Sequence, residues 1–243
     1  FNQDTKVATE LYDGLTTNKG IFINYNKNLY YLNGKYIQYD NTTVKEVEPY
    51  EPDICINRKP DGTYSDLVDN YNRLGKGFKN TFNGDGSSKT YVLTDKELDS
   101  TQVKAVVGTT TYTEGNQFTV DRTNGKVNFN TAPPTGQNNV VITAYKTNQK
   151  YIDSVLNCKY FVSFGGENNS RLFIAGSGNA VYYYSDVFDA TYFPENNYGT
   201  LGNGEDDITG FGEQYNVLVV FKKTEMYSIS YYYDNEHKPR FNS

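Results

Sequence analysis

The chain has 243 residues, a formal net charge of −6, and an aromatic content of 24 Tyr and 14 Phe with no Trp and a single Met. That length accommodates one large β domain or two modest ones, and Tyr and Phe in such numbers favour half-buried pleated sheet over helix. No Lys or Arg run forms a basic stripe, which argues against specific nucleic-acid binding, and no apolar run approaches the ~20 residues of a membrane span.

Phe1 is not followed by a charged leader or an apolar h-region, so no signal peptide is expected, and a start without Met suggests a processed or excised piece. Residues 1–19 are mostly polar, with Val7, Leu11 and Leu15 at a spacing that permits a short helix. From Gly20 onward short apolar runs alternate with turns: Ile21 to Ile23, Leu29 to Leu32, Tyr36 to Tyr39 and Val44 to Val47. Asn33-Gly34 between two of them is a hairpin signal of the type I′ kind. About four strands in roughly 30 residues match one propeller blade.

Residues 49–77, punctuated by Pro49, Pro52 and Pro60, read as a connector with one apolar bead at Ile54-Cys55-Ile56. A second β unit follows, with strands at Thr90 to Leu93, Val103 to Val107, Phe118 to Val120, Val127 to Phe129 and Val140 to Tyr145. Asn124-Gly125 marks its clearest hairpin. Six or so short strands in about 70 residues suit a small β-sandwich. After Thr147 the first style returns in Tyr160 to Phe164, Leu172 to Ile174, Val181 to Tyr184, Val217 to Phe221 and Met226 to Ser230. Between the third and fourth of these, Asp189, Tyr192, Phe193, Pro194 and Tyr198 form an aromatic loop, the candidate interaction loop of the chain, with Tyr192 and Phe193 expected to be buried under a neighbouring blade or against another copy.

The expected fold is therefore all-β. A propeller-like segment with its connector occupies 1–77, a β-sandwich is inserted at 78–147, and a second propeller-like segment occupies 148–243. About three blades are present, fewer than a closed ring needs. Cys55 and Cys158 lie in different segments, and two separate buried thiols are expected over a disulfide.

The connector PYEPDICINRKPDG, the stretch FKNTFNGDGSSKTYVL, the hairpin FTVDRTNGKVNFNTAPP and the loop DATYFPENNYG resemble the tail-hub, nozzle or stabilization proteins of tailed bacteriophages and prophages of Gram-positive hosts. The resemblance covers roughly residues 20–232. It implies a propeller-like virion structural protein near the portal end of the tail, assembled in the host cytoplasm. The implied partners are other virion proteins, namely a portal or adaptor ring and a tail fibre or spike, and the full-length protein would form a homo-oligomeric ring.

Enzymatic readings compete poorly. Propeller glycosidases carry a Ser-x-Asp-x-Gly-x-Thr-Trp turn, whereas Ser185 to Tyr192 has Val187 and Asp189 at the third and fifth positions and ends without Trp. Asp186, Asp189 and Glu195 are the local carboxylates for acid–base work, but a turn-forming role for Asp186 and Asp189 is favoured. Asn83-Gly84-Asp85-Gly86 opens like a calcium loop, yet Ser88 and Thr94 stand where Gly and the bidentate Glu belong. Glu205-Asp206-Asp207 reads as a solvated loop. His237 is the single His, which rules out a His-based zinc site or triad. No catalytic, metal or cofactor site is expected. The competing reading is a carbohydrate-binding or adhesion module, its Tyr182-Tyr183-Tyr184 and Tyr231-Tyr232-Tyr233 triplets each offering a ring for stacking; filling gaps between blades is the favoured role of both.

Overall fold

A computed structural model describes residues 8–17, 19–166, 169–233, 235 and 239–242. The chain is all-β, with one helix among the described residues, and it divides into two compact units. The first draws on Phe1–Glu48, Ile152–Phe193 and Asn197–Ser243, the second on Pro49–Tyr151 and Pro194–Asn196. Val7 and His237 lie outside the described residues.

The first sheet is an antiparallel meander of β1 (Ile21–Tyr25), β2 (Asn28–Leu32), β3 (Tyr36–Tyr39) and β4 (Val44–Glu46). Its first turn, Asn26-Lys27, has both residues left-handed at φ 46 and 67, the backbone that suits the right-handed twist of a two-residue hairpin. Asn33-Gly34 behaves differently from the type I′ expectation. Leu32 pairs with Tyr36 across three intervening residues, and Gly34 alone takes positive φ there. The buried Asn33 is committed elsewhere: its side-chain oxygen accepts from the Thr16 amide and hydroxyl. That tether, with the Tyr12 hydroxyl donating to Glu46, holds residues 8–17 along the sheet without helical structure, so the helix allowed by Leu11 and Leu15 does not form there.

The second unit contains β5 (Asp53–Arg58), β6 (Asp66–Leu67), β7 (Gly77–Gly84), β8 (Thr90–Val92), β9 (Lys104–Val107), β10 (Thr110–Thr113), β11 (Phe118–Asp121), β12 (Lys126–Phe129) and β13 (Gly136–Tyr145). A six-stranded sheet, β10-β9-β13-β7-β5-β6, shares one core with a three-stranded sheet, β11-β12-β8. The rings meet edge to face, with Phe82 and Phe129 each 5.2 Å from Tyr91. Residues 49–77 are thus more than a connector, and the unit starts at Pro49 where the sequence suggested Phe78. The cause is non-local pairing. β5 runs parallel to β7, Ile54 enters the core, and the Thr81 hydroxyl donates to Asp53 at 2.6 Å. On its other edge β5 pairs antiparallel with β6, which has only two residues, too few to leave a clear hairpin signature.

α1 (Gln149–Leu156) follows, with the Tyr151 amide donating to the Asn148 side chain at its start. Its one fully buried residue, Val155, is too slight an apolar signal to stand out among neighbouring strands.

The first unit then resumes with two more meanders: β14 (Tyr160–Phe164), β15 (Arg171–Ala175), β16 (Val181–Tyr184) and β17 (Tyr198–Thr200), then β18 (Ile208–Gln214), β19 (Val217–Lys222), β20 (Met226–Tyr233) and β21 (Pro239–Asn242). The first strands of successive sheets lie together, β1 against β14 and β14 against β18. The middle sheet is covered on both faces. Phe164, Phe173, Ala175 and Tyr182 pack with Leu218, Val220 and Ile229 of the last sheet. Phe161, on the opposite face of β14, meets Tyr36 of the first sheet edge to face at 6.0 Å. Two-sided cover is why β15 is buried at every position and why its sequence shows no alternation.

Candidate interaction surfaces

The outer sheets of the first unit each keep one face that no other sheet covers. In the first sheet, Ile21, Ile23 and Tyr25 share a side with Tyr30 and Leu32, while Phe22 pairs with Tyr31 and Asn24 with Leu29 on the other. β3 continues that outer side with Ile37 beside Tyr31 and Tyr39 beside Leu29. The result is an apolar groove of about 440 Å³ walled by Leu11 and Leu15 and floored by Phe22, Leu29, Tyr31 and Tyr39. Phe22 is 67% exposed and stacks on Tyr31 with ring centroids 4.3 Å apart. The Tyr31 ring lies where a Cβ at Gly20 would stand, 2.2 Å from it, so only glycine admits the ring there.

The last sheet's outer face mixes small and large residues. Val219 sits between Gly212 and Ser228, and Phe221 between Gly210 and Met226. Phe221, Met226 and Tyr232 are exposed, and a Cβ at Gly210 would meet nothing within 4 Å.

The loop singled out in the sequence is mostly internal. Phe193 is 1% exposed and meets Tyr36 edge to face at 6.5 Å; Tyr192 is also buried. Asp189 accepts from the amide and hydroxyl of Thr191, both at 2.7 Å, as a turn former. Pro194, Glu195 and Asn196 belong to the second unit, where Pro194 bridges Asn72 and the Arg73 guanidinium donates to the Glu195 carbonyl. Among the five residues of the expected interaction loop, Tyr198 alone presents its ring, at 50% exposure.

The exposed apolar tip of this region is instead Val187-Phe188, which the sequence reading passed over. Phe188 has φ 53, a left-handed conformation unusual for an aromatic residue. It is held by its amide donating to the Ser170 carbonyl at 2.7 Å and its carbonyl accepting from Asn26. Asp186 supports the turn by accepting from the Val187 amide and pairing with Arg171 at 3.2 Å. The tyrosine triplets divide as their sheets do. Tyr182 and Tyr183 are buried in the doubly covered sheet, whereas Tyr232 and Tyr233 are exposed.

Two hollows of about 480 and 460 Å³ share Asn169 at the turn end of the first unit. One is lined by Tyr231, Tyr233, Glu213 and Asn216, the other by Tyr25, Asn24, Asn26 and Phe188. The Asn169 amide donates to Glu213 at 3.1 Å, and burial pushes the Tyr25 phenol up to about 12.

Both cysteines are free and buried. Burial raises the Cys55 and Cys158 thiols, which disfavours the nucleophilic thiolate. Asp85 accepts from the Ser87 and Ser88 amides, and the Ser88 hydroxyl and amide hold its carboxyl well below the usual range; it shapes a turn. Among the described residues no cluster of three or more His, Cys, Asp or Glu is arranged to hold a metal ion, and no helix is long and apolar enough to cross a membrane. No protein-family model, curated protein or solved structure matches the chain.

Proposed function

We propose that this protein is a virion structural subunit of a phage tail hub or nozzle, acting through protein–protein contacts and catalysing no reaction. The observation that carries the contact reading is the exposed apolar face of the first sheet. In the groove formed with Leu29 and Tyr31, Leu11, Leu15 and Phe22 stand largely in water, and fully burying such a side chain contributes about 1.5–3 kcal/mol. Contiguous exposed apolar surface of this kind marks contact sites. The placement in a tail rests on the sequence resemblance. In this reading the three meanders are consecutive blades of a partial propeller, and residues 49–151 are a sandwich-like insertion. Its neighbours are the portal or adaptor ring and a fibre or spike, and its location is the virion tail.

Antibody–gold labelling of purified tailed particles tests this reading. Label at the portal-proximal tail is expected; particles that carry none would overturn it.

A carbohydrate-binding or adhesion role is the second reading, favoured by the paired hollows about Asn169. Side-chain amides there lie beside Tyr231, Tyr233 and Phe188, and amides with ring faces suit neutral sugars. Binding of neutral oligosaccharides that is lost in Asn169→Ala, without loss of fold, would support it.

A further inference from the structure

Four Asn-Gly steps occur in the chain, at Asn33, Asn83, Asn124 and Asn203. In this dipeptide the asparagine amide is unusually open to attack by the next backbone nitrogen, because glycine has no Cβ to hinder the approach. Three of the steps are locked by their surroundings. The Asn33 side chain is buried, and its Oδ1 accepts from the Thr16 amide and hydroxyl. Asn83 lies in β7, where its Oδ1 accepts from the Asn138 amide at 2.7 Å and the Gly84 amide donates to the Asn139 side chain at 2.8 Å. Asn124 is exposed, but its hairpin is pinned from outside: the carbonyls of Arg122, Thr123 and Gly125 accept from the amides of Leu98, Glu97 and Leu93. Its Nδ2 donates to Asp121 at 2.8 Å, and Gly125 is buried, with the Asp95 carbonyl oxygen standing where a Cβ would be.

Asn203 stands in the loop from β17 to β18, whose residues 202–206 are exposed while Leu201 and Ile208 anchor its ends in the core. The Gly125 and Gly204 amides are equally loose, each 3.4 Å from the carbonyl three residues back, so the side chains and the surroundings decide between these two steps. The Asn203 Oδ1 accepts from the Glu205 amide at 3.1 Å, and its Nδ2 donates to the Glu205 carboxylate at 3.1 Å. A backbone N–H on Oδ1 sits where negative charge develops when Cγ is attacked, the arrangement that stabilises an oxyanion.

We infer that Asn203 is a self-modification site, where the folded chain deamidates through a cyclic imide with Gly204, independently of the contacts proposed above. The Gly204 nitrogen gives its proton to a solvent base and attacks Asn203 Cγ, forming the new C–N bond. The Cγ–Nδ2 bond breaks, and that nitrogen takes a proton from water and leaves as ammonia. Water then opens the imide at either carbonyl, giving aspartate or isoaspartate; one water is consumed, one ammonia is released, and nothing is oxidised or reduced. The product adds a carboxylate beside Glu205, Asp206 and Asp207. Its isoaspartate form also lengthens the main chain between the two core anchors.

Peptide mass mapping of the full chain, aged in mildly alkaline buffer both folded and in concentrated denaturant, tests it. In denaturant the four steps share one dipeptide and are expected to convert at comparable rates. In the folded chain Asn203 should convert as fast as in denaturant or faster. Asn33, Asn83 and Asn124 react only through local opening and should slow by at least about tenfold. Folded-state conversion led by any other asparagine would overturn the assignment, as would an Asn203 that reacts more slowly folded than unfolded. Fragmentation that separates the two acids should find isoaspartate beside aspartate at 203. Aspartate alone would mean direct hydrolysis of the side chain and would sink the imide route. Asn203→Gln, at an exposed position, should leave melting unchanged and abolish the loop's gain in mass; a gain that persists would place the reaction at another residue.

Discussion

The first and middle sheets of the first unit are both four-stranded antiparallel meanders, yet their side chains meet different surroundings. In the middle sheet every residue of β15 is buried, and Tyr182 and Tyr183, pointing to opposite faces, are both inside. In the first sheet Tyr30 and Leu32 are buried while Phe22, one strand over and on the other face, is 67% exposed. Composition does not separate the two, since both carry aromatic and aliphatic residues on both faces. The middle sheet has finished its packing, and the first retains an apolar face fit for another surface. A two-faced apolar strand therefore signals that cover is needed on both sides, without saying whether the same chain supplies it.

The sharpest break of this comparison comes from truncating covered residues. Phe173→Ala in the middle sheet and Leu32→Ala on the covered face of the first should cost about 3–5 and about 2–5 kcal/mol respectively in denaturant unfolding, since both are buried. A small loss at Leu32 would mean that the first sheet is only loosely docked. Phe193→Ala should behave like Phe173→Ala, whereas Tyr198→Ala, half exposed, should stay within about 0.5 kcal/mol.

A somewhat smaller effect belongs to the second unit, whose core is held in part by a charge pair. Burial raises the Glu114 carboxyl, but two Arg122 donors at 2.7 and 2.9 Å and the Val103 amide outweigh it, and the net shift is downward. A depressed folded value stabilises above the unfolded pKa of about 4.3 and is lost as pH falls through the folded value. Wild-type stability should therefore decline below about pH 4 more steeply than that of Glu114→Gln. The substitution itself should cost about 1–3 kcal/mol at neutral pH. Parallel pH profiles would remove the pair from the account.

Two tyrosines on the covered side of the first sheet sharpen the comparison further. The Tyr25 hydroxyl donates to the Ser170 carbonyl at 2.6 Å, while the buried Tyr36 hydroxyl has no hydrogen-bond partner among the described residues. Tyr25→Phe should cost about 0.5–1.5 kcal/mol, and Tyr36→Phe should be neutral or stabilising by up to about 1 kcal/mol. Thermal melts that rank the pair in the other order would contradict this assignment. The smallest effect is expected at the open face, where Phe22→Ser should change unfolding of the monomer by no more than about 0.5 kcal/mol.

Much of the strand layout was legible because short meanders announce their own turns: Asn33-Gly34 and Asn124-Gly125 lie between strands that pair as hairpins. β5 was not, because its antiparallel partner β6 is only two residues long and its other partner, β7, is parallel and distant. Nor was the tip at Phe188, where an aromatic residue takes a backbone that glycine or asparagine would announce. In the loop from Asp189 to Tyr198 the burial of Tyr192 and Phe193 was legible, but what covers them was not. Tyr192 and Phe193 are consumed by the chain's own packing, a fact set by Tyr36 more than 150 residues earlier. The open face of the first sheet had a signal in Leu29-Tyr30-Tyr31-Leu32, whose lack of alternation demands cover on both sides.

Hydroxyl-radical footprinting of Phe22 and Tyr31 in the free chain and in purified tail particles tests the central claim most directly. The contact account expects both rings to be oxidised in the free chain and protected in the particle, with the buried Tyr182 and Tyr183 unlabelled in both. Equal oxidation of Phe22 in the two states would contradict it.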